Sequence, residues 1–343
     1  MAGIAVVGLD IGKRLFHVIG MDQTGRVVLR RRCSRSQLFA LFERLPPALV
    51  GMEACASAHF LGRTIRDLGH DARLIPAQFV KPFLKSQKND YLDAEAIAEA
   101  VQRPTMRFVP IKTPEQLDLQ ALHRVRDRLV ARRTSVSNQL RGLLLERGIP
   151  IRTGRGGFRQ VVPELLTADD DRVSPALRHL VDVLWSEWCA TDRAVEALTK
   201  EIEAIAARAE TCRRLLSVPG IGPLVATAMV AAIADGSAFR RARDFAAWLG
   251  LVPKQSSTGG KTRLGGITKR GNTYLRRLLI HGARSFRLNG RRDGHQLGAW
   301  LSGLERRVHT NVATVALANK LARIAWAVLA RGEPYRPAAA TPA

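Results

Sequence analysis

Cysteine is scarce: Cys33, Cys55, Cys189 and Cys212 are the only four in 343 residues. No two of them stand at the short paired spacing of a zinc site, so they read as reduced core or surface thiols. Cys55 lies two residues from Glu53, yet no histidine takes up a spacing that argues for a Cys–His pair, and a thiol nucleophile is not expected. Apolar runs long enough to span a bilayer are also missing. The most apolar stretch, Asn311 to Arg331, is interrupted by Asn319, Lys320 and Arg323, and is expected to pack inside the protein. The opening Met-Ala-Gly-Ile-Ala-Val-Val has no basic flank before its apolar residues, so no signal peptide is expected. A cytoplasmic protein with no membrane partner is the expectation. A phosphate-binding Walker loop is absent as well, because Gly-x-x-x-x-Gly-Lys-Ser/Thr does not occur.

Acidic residues are the minority, 30 Asp and Glu against 54 Lys and Arg, and the formal net charge is +24. Charge of that size bears on partners rather than fold, and nucleic acid is the leading candidate. The length allows two or three domains, each with its own core.

The acids that are present stand at the ends of predicted elements. A first strand, Ile4 to Lys13, delivers Asp10 to its end. Leu15–Gly20 and Arg26–Leu29 follow as strands around an Asp-Gln-Thr-Gly turn, making an antiparallel meander. Ser36–Leu45 has helical spacing and stops at Pro46-Pro47. A strand closing on Glu53, a helix ending at Gly69 and a strand Ala72–Ile75 come next. Three antiparallel strands, a helix, a strand, a helix and a strand is the order of the ribonuclease-H-like fold. There the first and fourth strands are neighbours, which would bring Asp10 beside Glu53. A helix opening near Asp90 would add Asp90 and Asp93, three apart on one face. Four carboxylates so gathered repel one another unless cations sit among them, which points to a divalent-metal site for phosphoryl transfer.

Beyond this unit, Thr113 to Glu146 and Pro175 to Arg214 read as long helices, joined through a flexible basic loop at Gly148 to Gly157, that form a hairpin or coiled-coil arm. The arginine face of the first (Arg124, Arg126, Arg132, Arg133, Arg141) reads equally as a solvated helix face or as a track along a phosphate backbone. Trp185 and Trp188 are expected to pack rather than stack on bases.

A second site is suggested by Pro-Gly-Ile-Gly-Pro at 219–223, similar to a helix-hairpin-helix turn whose Gly220 and Gly222 let backbone N–H groups approach a phosphate. Then comes a loop rich in hydroxyls, glycines and cations, from Lys254 through Ser256-Ser257-Thr258, Lys261, Arg263, Lys269 and Arg270 to Arg276 and Arg277. Such a loop can grip DNA, or a serine in it can attack a phosphodiester while the cations stabilise the charge that develops. His281, His295 and His309 are expected to be structural or phosphate-facing.

Asp-Ile-Gly-Lys, Met-Glu-Ala-Cys and Lys-Asn-Asp-Tyr-Leu-Asp-Ala-Glu, in that order, resemble the Asp-Glu-Asp-Asp set of the RuvC-like transposases of bacterial insertion sequences, the "IS one-ten" family and within it the "IS eleven-eleven" subgroup. The resemblance implies four segments: a RuvC-like domain over 1–108, a helical arm over 109–212, a serine transposase domain over 213–332 and a disordered tail over 333–343. It implies Mg2+ held by Asp10, Glu53, Asp90 and Asp93, and a serine that becomes joined to DNA, placed at Ser257 with Thr258 and then Ser256 as substitutes. It further implies donor and target double-stranded DNA and a non-coding guide RNA. Handling two DNA ends and two targets leads to the expectation of a homodimer or tetramer, with the acids and the serine of one site drawn either from one protomer or from two. A metal-dependent nuclease similar to Holliday-junction resolvases, for which the loop would be a grip, and a non-enzymatic nucleic-acid-binding protein are the competing expectations.

The charge yields the first prediction. If several basic segments contact phosphates, affinity for DNA or RNA falls steeply with salt, by about 10³-fold or more between roughly 50 and 200 mM for six or more contacts. A flat log–log plot in a filter-binding titration would show that the charge serves something else.

Overall fold

The computed structural model describes residues 3–85, 89–167, 170–288 and 296–337. The chain forms two compact units, Met1–Pro114 and Glu115–Ala343.

The first unit is built on a five-stranded mixed sheet. Its strands are β1 (Val6–Ile11), β2 (Phe16–Met21), β3 (Val27–Cys33), β4 (Leu49–Glu53) and β5 (Asp71–Ile75), in the spatial order β3-β2-β1-β4-β5. β1 pairs antiparallel with β2, and β2 with β3, while β1–β4 and β4–β5 are parallel. This order and these directions are compatible with a ribonuclease-H-like domain. β3 runs on through Arg30-Arg31-Arg32, past the end expected from its apolar residues. As the edge strand it tolerates exposed cations, which also discourage further strand pairing.

Helices cover both faces of the sheet, because each inner strand is apolar on both sides. Val7, Leu9, Phe16 and Val18 share a core with α1 (Arg35–Arg44) and α2 (Ala58–Asp67). A capping box starts α1: Ser34 Oγ accepts from Gln37 N, and the Gln37 side chain accepts from Ser34 N. On the opposite face, Val6, Ile19 and Met21 pack with the short α3 (Ala77–Val80) and with α4 (Asp90–Val101). α4 is alanine-rich on its buried side, with Ala94, Ala98 and Ala100 fully buried. It also meets glycines on the sheet. A Cβ placed at Gly8 would lie 1.9 Å from the Ala94 carbonyl oxygen, and one at Gly51 would lie 2.8 Å from Val101 Cβ. The helix backbone therefore rests almost directly on β1, and its side chains press on β4.

The second unit begins with α5 (Pro114–Leu145), followed by α6 (Arg155–Thr167) and α7 (Pro175–Arg208). α5 and α7 run antiparallel, as their cross-links show: Arg126 to Thr199 at 2.7 Å, Arg133 to Asp192 at 2.5 Å and Ser137 to Trp188 at 2.9 Å. Trp188 is buried and stacks on Trp185 with ring centroids 5.2 Å apart, the packing role expected of the pair. Part of the basic loop expected at Gly148 to Gly157 is helical, since α6 already starts at Arg155. Arg155 and Arg159 from that helix join Arg133 around the buried Asp192 carboxylate. Burial alone would raise the pKa of Asp192, but the hydrogen bonds from Arg159 and Arg133 outweigh it and hold the carboxyl below the usual range.

The helix expected to run on to Arg214 stops at Arg208. Ala209 is extended, and α8 (Glu210–Leu216) starts anew. α9 (Pro223–Ile233), α10 (Ala242–Trp248), α11 (Thr273–Leu288), α12 (Gln296–Glu305) and α13 (Thr310–Arg331) surround one further core. By length and composition α13 could cross a membrane, but half of its apolar window is buried within this core. His123 ties three of these helices together: its Nδ1 pairs with the Tyr274 hydroxyl and its Nε2 with Thr227 Oγ1, both at 2.9 Å. Burial, helped by Arg126, pushes its pKa down to about 4, so the imidazole is neutral at pH 7. Of the tail, Tyr335 is tied by its N–H to Ser217 Oγ at 2.7 Å, while residues 338–343 and His295 lie outside the described residues.

The tight seat of α4 is testable. Gly8→Ala would push the helix off the sheet and cost about 1–3 kcal/mol in a urea melt, the usual penalty of overpacking. An unchanged urea midpoint would show that the sheet and helix do not depend on this contact.

Candidate catalytic carboxylates and a serine-bearing ribbon

Register alone brings the first two acids together. β1 and β4 pair with Leu9 opposite Met52, so the next step places Asp10 beside Glu53. Strand alternation then sets their direction. Gly8 and Gly51, two residues before each acid, face α4, and Asp10 and Glu53 project from that same side. Asp90 and Asp93 occupy the first turn of α4, whose N-cap Asn89 accepts from Tyr91 N at 2.9 Å. That end of the helix carries the positive end of its dipole, which favours carboxylates. Lys85 reaches Glu95 at 3.2 Å and Glu99 at 2.7 Å, pinning the chain ahead of α4 to the helix.

The four acids feel one another. The carboxyl of Asp10 is raised above its ordinary 3.8, first by burial, then by the negative charges of Asp93 and Asp90, with a smaller push from Glu53. His17 opposes the rise. It stands directly across from Asp10 on β2, with Nδ1 3.8 Å from Asp10 Oδ2 and 3.6 Å from Asp90 Oδ2. That nitrogen is buried and has no hydrogen-bond partner among the described residues. The ring is held edge-on against Tyr91 at 4.8 Å. Asp10, His17 and Asp90 line a cleft of about 440 Å³ together with Lys13 and Arg14.

Four carboxylates are hard oxygen donors, the ligand type that a hard divalent cation such as Mg2+ takes, whereas the His17 nitrogen is not a donor that Mg2+ prefers. Among the described residues no group of three or more acidic, histidine or cysteine side chains is placed to hold a metal ion, and of the four acids Asp10 and Asp90 line the cleft. Burial, Glu53 and Asp10 all push the Cys55 thiol above the ordinary 9.0, which disfavours its thiolate form.

In the second unit the stretch expected as a basic loop is a two-stranded antiparallel ribbon, β6 (Pro253–Thr258) and β7 (Lys261–Ile267). Gly259 and Gly260, both at positive φ, make the two-residue turn between them. The register divides the candidates between two faces. Ser257 is opposite Thr262 and Gln255 opposite Leu264, whereas Ser256 is opposite Arg263 and Thr258 opposite Lys261. Ser257 thus shares a face with Gln255, Thr262 and Leu264, and its Oγ accepts from Gln255 Nε2 at 2.9 Å and lies 3.3 Å from Thr262 Oγ1. Ser256, Thr258, Lys261 and Arg263 are on the other face. Lys254, Lys261, Arg263, Lys269 and Arg270 are exposed.

Two predicted phosphate-contacting arginines are committed within the fold. Arg276 is buried and donates to the carbonyls of Leu249 and Arg270, both at 2.8 Å, and to Thr273 Oγ1 at 3.1 Å. Arg277 is paired with Asp127 and lies over the Tyr274 ring. The glycine turn has a packing role as well: Gly220, at φ +80°, meets the backbone of Gly282 so closely that a Cβ would lie 2.9 Å from its carbonyl oxygen. Gly222 is the N-cap of α9, and Pro223 fills the next position. In the arm, Arg126, Arg132 and Arg133 bind side chains of α7, and Arg141 lies 4.4 Å over the Phe158 ring. Arg124 is exposed. His309 caps α13 by accepting from Asn311 N, and His281 is exposed.

Sequence reasoning passed over His17, Gln255, Thr262 and His123. For His17 a signal existed, since a histidine inside an apolar strand that pairs with the acid-bearing one must face either core or acid.

An α/β unit with acids around a cleft, joined in sequence to a helical unit with a basic ribbon, has counterparts among known proteins. Residues 212–296 match the model of the transposase IS116/IS110/IS902 family, and residues 7–148 match a transposase model of the DEDD, IS110 type. The chain is 47% identical to a probable family 20 transposase of Pseudomonas aeruginosa, covering 96% of this chain and 98% of that one. It is 43% identical to the transposase for insertion sequence element IS1328 of Yersinia enterocolitica, over 98% and 99% of the two chains. To the transposase for IS1111A of Coxiella burnetii it is 42% identical, over 98% and 92%. The chain belongs to the IS110/IS116 family of transposases.

The raised pKa of Asp10 gives a pH prediction with a definite sign. Its folded form holds the proton more tightly than the unfolded chain does, so the stability linked to this group is complete below about 3.8 and is lost as pH rises through the higher folded value. Asp10→Asn should therefore melt above the parent at pH 7, by about 1–3 °C. The gain should vanish near pH 3.5, about where both forms are neutral. A variant less stable than the parent at pH 7 would overturn the account of crowded charge.

Proposed function

We propose that the protein is the transposase of an insertion sequence, cutting and rejoining DNA with the carboxylates of a RuvC-like domain and a serine nucleophile. The observation that supports this reading is the order of the acids on one end of the sheet and helix: Asp10 and Glu53 on adjacent strands that α4 covers, with Asp90 and Asp93 in the first turn of α4. Asp10, Glu53, Asp90 and Asp93 would hold Mg2+, which supplies Lewis-acid polarisation of a phosphate oxygen and neutralises developing charge. The protein's own part is to bring the acids together against their repulsion and to hold them on a rigid sheet and helix.

Ser257 is the nucleophile in this reading, since its hydroxyl is held by neighbouring polar side chains on an exposed ribbon. Its Oγ forms a bond to phosphorus while the bond from phosphorus to one deoxyribose oxygen breaks. The serine proton passes to solvent, and the departing oxygen takes up a proton. Energy of the phosphodiester is kept in the serine ester, so a hydroxyl of another strand can reverse the step and complete rejoining. Lys254, Lys261, Arg263, Lys269 and Arg270 contact phosphates. Gly220 and Gly222 present the start of α9 to the backbone of the nucleic acid. Arg276 instead supports the segment after the ribbon by binding the Arg270 carbonyl, and Arg277 ties α11 to Asp127 of α5. The RuvC-like domain, helical arm and serine domain divide the work as 1–108, 109–212 and 213–332. Family resemblance supports a non-coding guide RNA as a further partner and a homodimer or tetramer as the working form, and the net charge of +24 suits binding RNA beside DNA duplexes.

Strand cleavage and adduct formation test the two halves separately. Asp10→Ala should lose at least about 10³-fold in cleavage rate while folding normally. Ser257→Ala should form no protein–DNA adduct that survives denaturation, and Ser256→Ala and Thr258→Ala should still form it. Normal cleavage by Ser257→Ala, with no adduct in the parent protein, would leave a metal-dependent nuclease as the better description.

A further inference from the structure

The ribbon has two chemically different faces, and only one side chain on the Ser257 face offers an amide donor to the serine oxygen. Gln255 and Ser257 are two residues apart on β6, so their side chains leave the same side of the strand. Gln255 Nε2 donates to Ser257 Oγ at 2.9 Å. On the paired strand, directly across from Ser257, Thr262 Oγ1 lies 3.3 Å from the same oxygen. The amide takes one lone pair of Oγ, and either hydroxyl can donate in the Ser257–Thr262 contact, so the serine proton can point to Thr262 Oγ1 while the oxygen keeps a lone pair for attack.

Building on the proposed role of Ser257, we propose that Gln255 is the positioning residue for its hydroxyl. Gln255 fixes the direction of Oγ and stabilises the negative charge left on it when its proton departs, before that charge passes to the phosphate oxygens as the bond to phosphorus forms. A hydrogen bond donated to the charged form of a group favours that form, so the amide lowers the pH at which the hydroxyl becomes reactive. No proton is transferred to Gln255, and the serine proton leaves by way of the Thr262 side to solvent. The cations opposite Ser256 and Thr258 cannot do this from the other face, where Lys261 and Arg263 sit. The ribbon then separates gripping the phosphate backbone from activating the nucleophile.

The test is the rate of adduct formation by the full-length protein on its DNA substrate across pH 6 to 10, with Gln255→Ala, Gln255→Glu and Ser257→Ala. Gln255→Glu matters because it keeps the shape and the acceptor oxygen but removes the donor. Both Gln255 variants should slow adduct formation at least about tenfold at neutral pH, less than the roughly 100-fold of a buried oxyanion donor because the ribbon is exposed. Their profiles should move to higher pH by about one unit, the equivalent of that tenfold. Melting temperature and salt-dependent DNA affinity should not change, which separates the effect from unfolding or a lost grip. If Gln255→Glu matches the parent in rate and pH profile while Ser257→Ala is dead, the positioning role is overturned and the nucleophile stands. If Ser257→Ala forms the adduct normally, the nucleophile assignment itself has failed.

Discussion

The backbone of α4 lies on β1 at Gly8 with only glycine hydrogens between them, Val101 and Ile97 of the same helix press on Gly51 of β4, and the arrangement of the acids depends on that approach. Two of the four carboxylates come from the sheet and two from the helix, so the distance between sheet and helix sets the distance between the pairs. With ordinary side chains at Gly8 and Gly51, α4 would ride higher. Asp90 and Asp93 would then move away from Asp10. Burial first, and then the charges of Asp93 and Asp90, raise the Asp10 pKa. Burial of Ala94, Ile97, Ala98 and Val101 along α4 supplies the opposing stabilisation.

Much of the first unit was legible in the sequence because its signals are local. Strand periodicity and Pro46-Pro47 suffice to give the order of elements along the chain, and likeness of that order to the ribonuclease-H-like fold is what made Asp10 and Glu53 expected neighbours. β3 was read short because Arg30, Arg31 and Arg32 look unlike a strand until one knows that it lies at the edge. The second unit was less legible. Ala209 breaks a helix with no proline or glycine to announce it, and α6 starts within a glycine-rich stretch that composition reads as loop. In the ribbon, Thr-Gly-Gly-Lys is a hairpin turn signal, but flanking strands made of polar residues give no apolar alternation to reinforce it.

Charge was the least decodable property at the level of single residues. Arg126, Arg132 and Arg133 bind helix partners, Arg276 binds carbonyls, and Arg155 and Arg159 neutralise one buried aspartate and its neighbour Glu196. A guanidinium that bridges elements and one that waits for a phosphate look the same in sequence. The difference lies in the acceptors that folding brings within reach, and these come from residues tens of positions away. Net charge thus argues for a polyanionic partner as a whole while assigning no particular arginine to it.

The ribbon's turn holds two residues between strands whose side chains alternate, so the chemistry of its tip is written in parity. Adding or removing a single residue on β6 before Ser257, with the turn intact, would rotate the whole tip against the base of the ribbon, so that Ser257 and Thr262 point to the surface where Lys261 and Arg263 had been and those cations to the other. A two-residue change would preserve the faces and alter only reach. Length variation among chains that share this ribbon should accordingly come in even steps on this strand, a constraint on insertion and deletion that substitution patterns would not reveal.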